Sequence, residues 1–291
     1  MGAQHSHTTE WYPRYHFFDG SERTVNWILL LDALNFCFWG EKDQPRWTIA
    51  YEDDSVNGYM AEAAALTRAV AEGLPLWDAT FLSDISEDTM ATILRGTDAS
   101  VPIPLFEQRV HNAREVGQVL LMHYDGQFAH AIEQAQYDAV QFASLIARDF
   151  PSFHDVTRYR QHDVRFLKRA QICVADLHNA FGNTQWGKFS NFEQLTCFAD
   201  YKLPQVLRHY NVIEYVPALA EMVDTQEQLK AGSEAEIEIR AATVWACELL
   251  QRALLQRGIT TTAADIDQLL WLMGQEAEQM RPYHRTRTIY Y

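Results

Sequence analysis

Two carboxylates stand where a carboxylate is expensive. Asp32 lies in LLLDALNFCFW (residues 29–39), with Asn35 close by, in a segment whose neighbours leave it no solvent face. An unpaired buried carboxylate is disfavoured by several kcal/mol, so Asp32 needs either an internal Arg or a cationic, hydroxyl-bearing ligand. Asp200 lies in LTCFADYKLPQVL (195–207), again among apolar residues, with Pro204 placed to start a helix just after it. A carboxylate there either caps that helix or faces a site. Glu236, Glu238 and Arg240 open EIEIRAATVWACELL (236–250), where acids in a first helical turn also suit the macrodipole. Phe36, Trp39, Phe198, Tyr201 and Trp245 offer flat faces that would stack on a planar base, or else belong to core stripes.

Cations gather in two places. Residues 157–169 hold Arg158, Arg160, Arg165, Lys168 and Arg169 against Asp163, a local charge of +4. Residues 281–291 hold Arg281, Arg285 and Arg287 with no acid, a local +3, and add His284. In a chain of net charge -15, two such clusters either meet around one small anion, such as a phosphate monoester, or pair with surrounding surface acids. The same net charge repels nucleic acid, which makes a polyanion a poor default partner. There is no Gly-rich phosphate loop, GxSxG elbow, HExxH or Cys/His zinc spacing, so chemistry without metal or cofactor is expected. His5 and His7 read as a solvated tail in preference to a metal site.

The elements that must hold these groups are helical. Only 13 Gly and 9 Pro in 291 residues leave few tight turns, and 47% hydrophobic content supplies a large core. A fully buried helix begins at Thr24 and runs through Leu34 and Phe38; residues 47–59 read as a short hairpin ending in Asn57-Gly58. Helices follow at 61–72 and 86–94, two more within 105–149, and others at 166–181, 192–210, 215–231, 234–256 and 263–280. No linker or internal repeat divides the chain, which reads as a single, mostly helical domain over residues 1–291 with one small β hairpin. Cys37, Cys173, Cys197 and Cys247 are far apart in apolar contexts and read as buried free thiols of a reducing compartment. No apolar run is long enough to span a bilayer, so a cytoplasmic protein without membrane attachment is expected.

Seven blocks carry a family likeness: LLLDALNFCFW, NGYMAEAAALTRAVAEG (57–73), FPSFHDV (150–156), KRAQICVAD (168–176), FADYKLPQVL (198–207), EIEIRAATVWACELL and the terminal YHRTRTIYY (283–291). Together they resemble the queuosine salvage proteins, the queuosine 5'-phosphate N-glycosylase/hydrolase family, from about residue 25 to the last. The resemblance implies an all-helical fold similar to the helix-hairpin-helix DNA glycosylases. It also implies hydrolysis of queuosine 5'-monophosphate to queuine and ribose 5-phosphate, a salvage step for a modified transfer-RNA base. On this implication Asp200 is the catalytic carboxylate, acting as base, electrostatic stabiliser or nucleophile.

Lys168, Lys202, Tyr283, His284, Arg285 and Arg287 would hold the phosphate and ribose. Lys202 stands where the family leads one to expect arginine, giving a point charge in place of a bidentate fork. Queuine carries a secondary amine and a cyclopentene diol, for which Asp32 with Asn35 is the candidate partner and Glu238 the second. Two other readings compete: a DNA or RNA glycosylase on the same fold, which would need a phosphate-chain groove, and a non-catalytic helical module that binds nucleotides.

Overall fold

The computed structural model describes residues 14–275 and 280–291. His5 and His7 lie outside the described residues, as does 276–279, the stretch just before the expected end of the last helix. Among the described residues there are twelve α-helices and two two-stranded antiparallel sheets.

Helix α1 (Glu22–Leu34) starts at Ser21, whose hydroxyl accepts the Arg23 amide, and every residue from Thr24 to Leu34 is buried. Its polar Asn26 is satisfied in that setting, since the amide reaches the carbonyls of Trp77 and Gly126 and its oxygen accepts the Phe128 amide. The helix stops at Leu34, short of the expected Phe38, and residues 35–40 continue as irregular chain. Strands β1 (Thr48–Tyr51) and β2 (Asp54–Asn57) pair with Tyr51 opposite Asp54. The turn is therefore at Glu52-Asp53, and Asn57-Gly58 instead opens helix α2 (Gly58–Ala71).

Short helices α3 (Ala79–Ser83) and α4 (Glu87–Ile93) lead to the long α5 (Phe106–His123). The 105–149 region holds three helices where two are expected, with α6 (Phe128–Gln134) and α7 (Ala139–Asp149) completing it. A second hairpin, β3 (Val156–Tyr159) and β4 (His162–Arg165), turns at Arg160-Gln161 on the basic stretch and precedes α8 (Lys168–Ala180). Residues 195–201 are irregular where a continuous helix is expected, and α9 (Lys202–His209) begins only at Lys202. Helices α10 (Pro217–Asp224), α11 (Glu234–Gln256) and α12 (Ala263–Gln275) complete the chain's regular elements.

Apolar side chains collect in two main clusters. The larger is centred on α1, which packs on α5, α8, α6 and α2. The smaller joins α9, α11 and α12 through Leu203, Val206, Leu207, Cys247 and Leu270. Phe36, Cys37 and Trp39 form a third group with Tyr201 and Tyr283, between the other two in the fold. All four cysteines are buried and free.

Candidate active site

A cavity of about 520 Å³ opens between the α1/α2/α8 side and the α9/α12 side. Its first wall is the chain leaving α1, which presents Asn35, Phe36, Phe38 and Trp39. That irregular segment is held by Arg109 of α5, which is fully buried. The Arg109 guanidinium donates to the carbonyls of Pro104, Leu34 and Phe36, pairs with the Glu62 carboxylate at 2.8 Å, and stacks on the Phe36 ring. Backbone oxygens that would lack partners at an irregular helix end are thereby satisfied.

The second wall is α8. Lys168, Ile172, Ala175, Asp176 and Asn179 line the cavity, the i, i+4, i+7, i+8, i+11 stripe of one helix face. Its start is fixed by Asp155, which accepts the Lys168 amide and holds the Arg240 guanidinium through two bonds of 2.9 and 2.6 Å. Arg169 turns inward, donating to the carbonyls of Asp32, Ala33 and Ser152. Only Lys168 of this basic pair reaches the cavity.

The third wall is the loop before α9. Asp200 Oδ1 accepts the amides of Lys202 at 2.7 Å and Leu203 at 3.0 Å, so the capping interaction does exist. Asp200 Oδ2 makes no hydrogen bond among the described residues, and the side chain lines the cavity. Asp267 of α12 accepts the Phe198 amide at 2.6 Å and so fastens the same loop from the other side.

Burial raises the Asp200 carboxyl above its ordinary range, opposed first by Lys168, then by the Leu203 and Lys202 amides. Burial, then the nearby Asp200 charge, pushes Asp267 well above that range. Of these two neighbouring acids, Asp267 is pushed up further, and Asp200 has Lys168 and two amides to favour its charged form. Lys168 is pulled down by burial and up first by Asp200, and no hydrogen bond occupies its ammonium among the described residues.

At one end of the cavity Lys202 donates to the Gly274 carbonyl and lies 5.4 Å from the centre of the Tyr283 ring, which packs against Tyr201. Arg46, in the exposed loop before β1, joins them on the lining and makes no ion pair among the described residues. Burial and then Arg46 depress Lys202, and Asp200 opposes them. At another part of the cavity Asp176 faces Tyr59 of α2, whose hydroxyl lies 3.3 Å from it and 2.8 Å from His16 Nε2.

Of the residues singled out in sequence, Asn35, Phe36, Trp39, Lys168, Phe198, Asp200, Tyr201, Lys202 and Tyr283 share this cavity. Asp32 does not line it; it is fully buried behind the α8 wall. Glu238 is exposed and accepts the Tyr159 hydroxyl on the hairpin side, while Trp245 is 56% exposed beneath Arg252, so neither reaches the cavity. His284 is buried beside Tyr291, and burial drives its imidazole down to about 3. Arg285 and Arg287 stack on Trp39, with Arg287 also paired to Glu41, and neither lines the cavity. The two basic clusters therefore do not converge on one anion: the first contributes Lys168 alone to the lining, and the second contributes Tyr283 but none of its arginines. The sequence reading missed Asp176, Tyr59, Asp267 and Arg46.

The model of a protein family described as queuosine salvage protein matches residues 15–291. A Sphaerobacter thermophilus protein named queuosine 5'-phosphate N-glycosylase/hydrolase is 47% identical over 282 residues, covering 97% of this chain and 85% of its own. Proteins of the same name from Bos taurus and Schizosaccharomyces pombe are 35% and 30% identical. They cover 93% and 92% of this chain, and 82% and 83% of their own.

Proposed function

This chain belongs to the queuosine salvage protein family, and on that premise we propose that it is an N-glycosyl hydrolase. It cleaves queuosine 5'-monophosphate into queuine and ribose 5-phosphate. The observation that carries this reading is Asp200: a buried carboxylate with one oxygen tied to two backbone amides, on a residue that lines a hollow of nucleotide size.

Breaking the bond between C1' and the base nitrogen sends its electron pair to the base and leaves positive charge on the ribose ring. A carboxylate held rigidly against that carbon stabilises the charge as it develops, without reorganising. Water then adds to C1', one proton remaining with the sugar hydroxyl and the other ending on the base. Lys168 is the foremost charge favouring the ionised form of Asp200, and its ammonium would donate a hydrogen bond to a ribose hydroxyl. Lys202, Arg46 and Tyr283 meet the 5'-phosphate as point charges and a hydroxyl. The purine-like base lies among Phe36, Trp39 and Phe198, whose faces supply stacking.

Release of free queuine from queuosine 5'-phosphate, read by mass spectrometry, tests the activity. Asp200→Asn should lower kcat by about 10² to 10⁴ while leaving substrate binding nearly intact. Turnover close to wild type in that variant would remove Asp200 from the mechanism. Four buried free thiols support a reducing, cytoplasmic setting, and no helix among the described residues is long and apolar enough to cross a membrane.

A further inference from the structure

Asp32, Asp176, Asp200 and Asp267 all act on the one buried ammonium of Lys168. Arg169, the nearest second cation, is spent on three backbone carbonyls. Asp267 is bound to the Phe198 amide and Asp200 to two amides. Asp32 has no such support: it is fully buried, and neither oxygen makes a hydrogen bond of normal geometry among the described residues. Its neighbour Asp176 is the acid of this pair that reaches the cavity. Negative charge is in excess here, and an apolar surround tolerates the excess only if protons or a ligand cation neutralise it.

Helix α8 fixes the spacing. Asp176 follows Lys168, which lies beside Asp200, by eight positions, so their backbones stand about 12 Å apart along one wall. A base whose sugar sits at Asp200 and whose side arm points along α8 brings the arm to Asp176 and leaves the ring between.

We propose that Asp176, backed by Asp32 and oriented by the Tyr59 hydroxyl, is the residue that selects the substrate's cationic amine, and that the acid pair releases a proton when the amine binds. The assignment rests on the function proposed above and adds to it the means by which this substrate is told from ordinary purine nucleotides. A nucleotide without the amine leaves Asp176 without its cation, and a site built around such a partner rejects ligands that lack it.

The sign of the pH dependence follows from the groups around the pair. Burial, eased by the Tyr59 hydroxyl and Lys168, brings Asp176 up to about 7. Burial and then Asp176 lift Asp32 well above the ordinary range, while Lys168, Asn35 and Arg169 oppose this. Cys173 of α8 is itself pushed up by burial and by the two acids, and stays a neutral thiol. From α2, Tyr59 is held neutral by burial, and Glu62 is engaged by Arg109. His16 Nε2 lies 2.8 Å from the Tyr59 hydroxyl. Binding of an ammonium requires the carboxylate, so affinity for queuine falls as pH drops below about 7 and levels off above it.

Calorimetric titration of queuine at pH 6, in two buffers of different ionisation heat, should show close to one proton released per queuine bound. An analogue with ether oxygen in place of the amine should bind wild-type protein about 10- to 100-fold more weakly and release no proton. Asp176→Asn should lose the same factor for queuine but bind the ether analogue and 7-deazaguanine as wild type does. Equal affinity for queuine and its ether analogue, or no proton release, overturns the proposal, and the analogue makes that test without any variant. Turnover of queuosine 5'-phosphate by the wild-type protein is measured alongside. If it persists while the titration fails, only the amine site is wrong; if it is absent, the function itself is.

Discussion

In the proposed mechanism Asp200 and Lys168 act as a unit, because the ammonium is the foremost charge favouring the ionised carboxylate. Burial pushes the Asp200 carboxyl up, and Lys168 is the largest influence against that. Removing the cation in Lys168→Met therefore raises the Asp200 carboxyl, and the acid limb of the kcat profile should move to higher pH. The variant should lose more turnover at pH 6 than at pH 8, and a limb that stays put or moves down would assign Asp200 some other source of charge. Asp200 stood out in the sequence as an acid among apolar residues that either caps a helix or faces a site, and only the family resemblance pointed to the second. Asp176 did not stand out, since in KRAQICVAD an acid eight positions after a lysine looks like any polar point on an amphipathic helix. Arg46 sits in EKDQPRW, a stretch whose composition reads as solvated loop; only the folded path brings it beside Lys202.

The elements show the same division. Runs of apolar residues at helical spacing located α1, α2, α8 and α11 correctly, because burial on every face or on one stripe leaves a periodic trace. What the pattern could not show was where a helix stops for reasons of side-chain chemistry. Residues 195–201 continue the apolar spacing, yet they are pulled out of helical geometry by Gln171, Asp267 and Arg240, which bond to Thr196, Phe198 and Ala199. The β3–β4 hairpin hides in TRYRQHDVR for a related reason: neither face is buried, so its alternation of residue types is weak. A close approach of helices marks a position far from the cavity that matters to all of it. A Cβ at Gly117 of α5 would lie 2.2 Å from the Ser83 amide nitrogen and 2.5 Å from the Ala79 carbonyl oxygen, both backbone atoms of or beside α3. Gly117→Ala must force α3 and α5 apart, an overpacking that destabilises by about 1–3 kcal/mol. Thermal unfolding should show Tm lowered by about 5 °C, with kcat per folded molecule unchanged. A Tm within about 1 °C of wild type would mean that α3 is not held against α5 in solution.

At the scale of the whole molecule the question is whether the substrate is a free nucleotide or a nucleotide within a chain. Both would present a phosphate to Lys202 and Arg46, and both would place a base near Trp39. A polynucleotide, however, must also lay its neighbouring phosphates along the surface, and each phosphate contact there needs a cation. The net charge is -15, and the densest exposed basic stretch, Arg158, Arg160 and Arg165, lies on the β3–β4 hairpin, none of whose residues lines the cavity. The cavity lining itself carries four acids, Asp176, Asp200, Asp265 and Asp267, against three cations, Arg46, Lys168 and Lys202, which leaves little for a chain of further phosphates. Transfer RNA should therefore not be retarded by micromolar protein in a gel at about 50 mM salt, the condition that most favours ionic binding. A tenfold excess of transfer RNA should leave hydrolysis of queuosine 5'-phosphate unslowed. Retardation that weakens steeply with added salt, together with inhibition by the same RNA, would show that phosphates outside the cavity are held, and would shift the reading to a glycosylase acting on polynucleotide.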